Sequence, residues 1–142
     1  MGSTGVGYEA FDRTHTGTAS PADTRLTLSS DPAFRGSPSL LNPEQLVVLA
    51  ASSCQLLSFL AVAAQARIDV ISYSDAAEAL MPEGEKPMRI MKITLRPHVV
   101  VRGAVDEQRV RRYLQIAHEQ CFVANSLKTE VTVEPTFVRQ TA

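Results

Sequence analysis

"NPEQLVVLAASSCQLLSFLAVAAQA", Asn42 to Ala66, is the stretch on which the fold turns. Asn42 suits the N-cap, Pro43 suits the first helical position, and Gln45 completes a capping box with Asn42. Glu44 puts a negative charge in the first turn, where the helix dipole favours it. Nothing then interrupts a helix until about Arg67, and the helix is apolar on nearly every face. Such a helix must be covered all round, by lipid or by protein. The 19 residues from Leu46 to Ala64 reach the lower range for a bilayer crossing. Yet Ser52, Ser53, Gln55 and Ser58 crowd its middle, where a bilayer penalises polar groups most. Its flanking charges, Glu44 and Arg67, set no orientation. The stretch therefore reads as the core helix of a protein without a membrane partner. More cover is needed than one sheet can give, which predicts a homodimer.

Outward from this helix, residues 1–36 are polar and rich in Gly, Ser, Thr and Pro, with "GYEAF" and "TRLTLSS" as strand candidates. "DPAFRGSPSLLNP" (31–43) reads as a loop. On the other side, 68–80 reads as a strand, 81–87 as a turn and 88–103 as a strand. Met91, Ile93 and Leu95 there alternate with Lys92, Thr94 and Arg96, and Pro97 marks an edge or a bulge. "VDEQRVRRYLQIAHEQC" (105–121) is an amphipathic helix with Val110, Leu114, Ala117 and Cys121 on one stripe. A last strand covers 129–138, with Val131 and Val133 on one face. Strands and helices do not alternate one for one. The class is α+β, mainly antiparallel, in a single domain over 1–142.

The bulk composition narrows the function. A formal net charge of -1 and the absence of Trp argue against a nucleic-acid surface. The N-terminus lacks the basic and apolar regions of a secretory signal, and it does not complete a myristoylation pattern, so a cytoplasmic location is expected. His15, His98 and His118 lie in separate segments with no metal-ligand spacing. Cys54 and Cys121 form neither a zinc pattern nor a CxxC motif. Both can face one interior. From spacing alone they read first as two inert buried hydrophobes, with a reactive pair as the alternative. A reactive thiol in apolar surroundings needs a nearby cation; Arg13, Arg25, Arg35, Arg67 and His118 are the candidates.

"NPEQL" with a Cys ten residues after its Glu, then "AHEQCFVANSL" after the second helix, resembles the OsmC/Ohr family of osmotically induced and organic hydroperoxide resistance proteins. "DPAFRG" and "ITLRPHVVV" extend the likeness over roughly residues 24–138, closest to the OsmC-like branch. The resemblance implies an intertwined homodimer with the long helices packed side by side. It implies thiol-dependent reduction of organic hydroperoxides without metal or other cofactor, with an external dithiol, a lipoyl group for instance, as reductant. Cys54 matches the peroxidatic cysteine and Cys121 the resolving cysteine that closes an intrachain disulfide. Glu44 matches the motif carboxylate. Arg35 matches the arginine over the thiolate, with Arg25 and Arg13 as fallbacks. Ten residues of helix span about 15 Å, so Glu44 and Arg35 are expected to serve the partner subunit's thiol. The chain departs from the family pattern at Gln55, where an aromatic or His is common, and in a short N-terminus. The competing expectation is a non-catalytic dimeric stress or small-thiol-binding protein of the same fold.

Overall fold

The computed structural model describes residue 5 and residues 7–141. It divides into two compact units, one up to Val47 and one from Val48 on.

The first unit contains an antiparallel hairpin of β1 (His15–Thr18) and β2 (Arg25–Leu28), registered His15 to Leu28. The "GYEAF" strand expectation is corrected here: residues 8–10 form a turn. Arg13 causes it by folding back, its guanidinium 3.4 Å from the Phe11 ring centroid and 4.8 Å from that of Tyr8. Its two terminal nitrogens donate to the Phe11 and Tyr8 carbonyls. After β2, Asp31 caps a 3-10 turn over Pro32–Phe34 by accepting from the Ala33 N–H at 2.8 Å. Gly36 closes that turn against Ser30, where any Cβ would collide with the Ser30 carbonyl.

The long helix α1 (Pro43–Gln65) begins as the sequence predicts. Gln45 N–H donates to Asn42 Oδ1 and Asn42 N–H donates to Gln45 Oε1, each at 2.9 Å, a reciprocal capping box. At its other end Arg67 takes a left-handed φ of 58°, and Ile68 N–H reaches back to the Ala63 carbonyl at 2.9 Å.

The second unit holds two three-stranded sheets, β3-β6-β8 and β4-β5-β7. Their strands are β3 (Asp69–Asp75), β4 (Glu78–Leu80), β5 (Lys92–Leu95), β6 (Pro97–Arg102), β7 (Glu130–Val133) and β8 (Thr136–Gln140). Three segments that read as single strands are thus each broken in two. The breaks fall at Ala76–Ala77, at Arg96 and at Glu134–Pro135, and each half joins a different sheet. The breaks are fastened to one another: Ala76 N–H donates to the Arg96 carbonyl, and Glu134 N–H to the Leu95 carbonyl at 2.8 Å. The Arg96 guanidinium pairs with Glu78 at 2.8 Å and Glu134 at 3.3 Å. Pro97 opens β6, a position that needs no ladder donor. Two of the pairings, β5 with β7 and β6 with β8, are parallel. Thr94, expected on the open face, is buried.

Helix α2 (Glu107–Glu119) starts at Asp106, which is its N-cap rather than part of its first turn, and is followed by a short helix α3 (Phe122–Ser126) that the sequence reading did not separate. Val110, Leu114 and Ala117 face the core with Phe59 and Ala63 of α1 and Val99 and Val101 of β6. Within the single chain α1 buries only one stripe, Ala51, Gln55, Phe59 and Ala63. On the opposite side Leu49, Leu57 and Leu60 are exposed, and 22% of the most apolar stretch is buried.

Candidate active site

By length and composition α1 would also cross a bilayer. Its polar residues instead connect it to the protein. Ser52 Oγ donates to Asp75 Oδ2 at 2.6 Å, and the other oxygen of that carboxylate accepts the Arg96 N–H at 2.7 Å. Gln55 Nε2 donates to the Leu114 carbonyl at 3.0 Å, and Ser58 Oγ to the Ala117 carbonyl at 2.8 Å. These bonds fix the rotation of α1 against α2 and β3. Cys54 is thereby set on the flank between the buried stripe and the exposed face, half-buried.

Cys121 follows the end of α2, at the N-cap of α3, and is 1% exposed. The two thiols are free and meet. Burial pushes the Cys54 thiol up, but the Cys121 S–H and the backbone N–H groups of Val123 and Phe122 outweigh it. The balance holds Cys54 below the ordinary thiol range, because each of these donors favours the thiolate. Cys121 moves the opposite way: burial raises it, as does its role as donor to Cys54. One member of the pair is thus prepared to be a nucleophile and the other to stay protonated until needed. Beside Cys54 opens a cleft of about 650 Å³ lined by Leu57, Ser58, Ala61, Phe122 and Asn125, largely apolar in character.

Glu44, Arg35, Arg25 and Arg13 belong to the first unit. Glu44 sits in the first turn of α1, and among the described residues it forms no salt bridge. Arg35 has a left-handed φ of 68° at the end of the 3-10 turn and pairs with Glu9. Glu44 and Arg35 are therefore not paired with each other within the chain. Arg25 opens β2 and Arg13 is occupied with Tyr8 and Phe11, while Arg67 is exposed at the end of α1. Within the second unit, backbone N–H groups and the second thiol stand where a cation was expected beside the thiol. Sequence reasoning missed this, because a five-residue helix leaves almost no periodic signal. It also missed Asp75. The polar residues inside α1 were the available clue to Asp75. Among the described residues no group of three or more His, Cys, Asp or Glu is placed to hold a metal ion.

Residues 36–136 match the model of the OsmC-like protein family. An OsmC-like protein of unknown function from Vibrio cholerae shares 34% identity and a TM-score of 0.80, over 87% of this chain and 84% of that one. An organic hydroperoxide resistance protein from Elizabethkingia anophelis aligns at a TM-score of 0.69 and 17% identity, over 90% of each chain. An organic hydroperoxide resistance protein, OsmC, from Legionella pneumophila aligns at 0.64 and 19%, over 87% of this chain and 93% of that one. At those identities the last two establish the fold. No curated protein matches the chain by sequence.

Proposed function

The chain belongs to the OsmC-like protein family, and from that premise we propose that it is a cysteine-dependent peroxidase that reduces organic hydroperoxides to alcohols. The observation that carries this reading is the unequal pair of thiols: a lowered Cys54 facing a cleft and a raised Cys121 behind it. The Cys54 thiolate attacks the terminal peroxide oxygen, the O–O bond breaks, and the alkoxide leaves as alcohol after taking a proton. Cys54 is left as a sulfenic acid. Cys121 gives up its proton and attacks the Cys54 sulfur as a thiolate; the S–S bond forms, the S–O bond breaks, and the departing oxygen takes up that proton to leave as water. An external dithiol returns both sulfurs to thiols, and the cycle needs no bound cofactor or metal. The apolar cleft suits an alkyl or aryl group, which favours organic peroxides over hydrogen peroxide.

The proposed working form is a homodimer in the cytoplasm, without membrane or nucleic-acid partners. Support for the dimer is the exposed row of Leu49, Leu57 and Leu60 on a helix that needs cover. In that dimer Glu44 and Arg35 of one subunit serve the thiol of the other, Arg35 orienting the peroxide and Glu44 holding the guanidinium.

The test is a free-thiol count with intact mass, before and after one equivalent of cumene hydroperoxide. Loss of both thiols within seconds, with loss of two hydrogens from the chain, is the expected result. Survival of both thiols in the folded protein overturns the peroxidase and favours a non-catalytic dimer that binds small thiols.

A further inference from the structure

Asn125 stands where three parts of the site join, and the cycle above gives it no task. It lines the cleft beside Cys54, as do Gln120 and Phe122 on either side of Cys121. Its backbone belongs to α3, while its side chain reaches back past Cys121 to the end of α2. Nδ2 donates to the Glu119 carbonyl at 2.9 Å. The backbone N–H of the same residue donates to the Cys121 carbonyl at 3.0 Å.

The two bonds have different origins. The backbone bond is the first turn of α3, and any residue with an N–H would make it. The side-chain bond is particular to Asn125. Carbonyls in the last turn of a helix have no partner within it. In α2 the Ile116 carbonyl is taken by Gln120 N–H at 3.1 Å, and the His118 carbonyl by Cys121 N–H at 3.2 Å. The Glu119 carbonyl is left for a side chain, and Asn125 fills that place. Only Gln120 and Cys121 lie between the two helices, with Cys121 in extended backbone. Helix α3 is five residues long, too short to stand by its own hydrogen bonds, and none of its residues is buried. Packing therefore does little to hold it, and the Asn125 amide is the side-chain bond that fastens it to α2. What it fastens matters to the chemistry, because the N–H groups of Phe122 and Val123, with which α3 begins, face the Cys54 sulfur.

We propose that Asn125 is a positioning residue for the thiol pair: its side-chain amide clamps α3 to the end of α2, and so keeps Cys121 and the first N–H groups of α3 at the Cys54 sulfur. Its part in disulfide closure rests on the peroxidase reading; its part in aiming α3 at Cys54 does not. Asn125 exchanges no proton or electron with either sulfur.

The experiment compares Asn125→Leu, close in size but without a donor, with Asn125→Ala. Alkylation of Cys54 by iodoacetamide is followed across pH, and a single turnover with cumene hydroperoxide is quenched to time disulfide closure. In both variants the alkylation midpoint should move to higher pH, and closure should slow by roughly three- to tenfold, the scale of one neutral hydrogen bond. A midpoint and a closure rate like those of the wild type overturn the clamp and leave the peroxidase standing. A lower melting temperature with an unmoved midpoint makes the bond structural only, and also overturns it. An effect in Asn125→Ala that Asn125→Leu restores assigns the role to the filling of the cleft, again against the clamp. If wild-type Cys54 survives cumene hydroperoxide, the peroxidase reading fails, and the alkylation midpoint alone then upholds or overturns the clamp.

Discussion

Asp75→Ala is the perturbation with the largest consequence per atom removed. The carboxylate takes Ser52 Oγ at 2.6 Å and the Arg96 N–H at 2.7 Å, tying α1 to the level at which the chain changes sheets. A hydrogen bond to an ionised acceptor is worth about 1.5–3 kcal/mol. Asp75 and Ser52 are half-buried, so the lower end applies, and the two bonds together come to roughly 3 kcal/mol. For a chain of 142 residues each kcal/mol moves Tm by about 2–4 °C, so the variant should melt roughly 6–12 °C lower. Ser52→Ala removes one of the two bonds and should cost about half as much. The assay is thermal and urea denaturation followed by circular dichroism, with thiols kept reduced. Protein concentration must be fixed, because a dimer's stability depends on it. The double variant should show a coupling of about 1.5 kcal/mol, since each single change already breaks the shared bond. A loss below about 1 kcal/mol for Asp75→Ala, or strict additivity in the cycle, would refute the reasoning.

Two further outcomes follow from the site. Cys121→Ala removes the S–H donor from Cys54, so the Cys54 thiolate should require higher pH. Iodoacetamide alkylation of Cys54, measured across pH, should rise through a midpoint below that of an ordinary thiol in the wild type and through a higher one in the variant. An unmoved midpoint assigns the lowering to the backbone N–H groups alone. Leu49→Asp places a carboxylate on the exposed face of α1 away from the cleft, where Leu49 is 53% accessible in the single chain. Burying that charge in a dimer costs on the order of several kcal/mol per copy, so light scattering should find a monomer, and that monomer should lack peroxidase turnover.

Legibility in the sequence followed the strength of the local signal. The start of α1 was readable because a capping box is a contiguous code, and Asn42 and Gln45 make it as expected. The end was readable only approximately, since Arg67 adopts a backbone state in which glycine is usual. Each strand pair was fused into one strand because alternation continues across a bend. Ile93 and Leu95 alternate up to Arg96, and Val99 and Val101 resume after it, yet the halves lie in different sheets. Only Pro97 betrayed the break. The buried stripe ending at Cys121 was visible from its spacing, and it put that thiol in the core. What spacing could not carry was the company the thiols keep. The donors to Cys54 come from the first residues of α3, and the Asp75 carboxylate that holds Ser52 arrives from a strand, through pairings that leave no trace in periodicity. Glu44 and Arg35 were singled out by resemblance alone, and among the described residues they share no salt-bridge partner.

The wide sequence separation of the two thiols has a consequence for the folding equilibrium. Cys54 and Cys121 stand 67 positions apart, so a bond between them closes nearly half the chain into a loop. A crosslink of that span withdraws enough freedom from the unfolded chain to stabilise the fold by about 4 kcal/mol. Joined through oxidation, the two sulfurs would make the spent protein harder to unfold than the fresh one. Peroxide would then toughen the molecule that consumes it, and the reductant that restores activity would soften it again. A melting curve would become a gauge of the redox load the protein has just met.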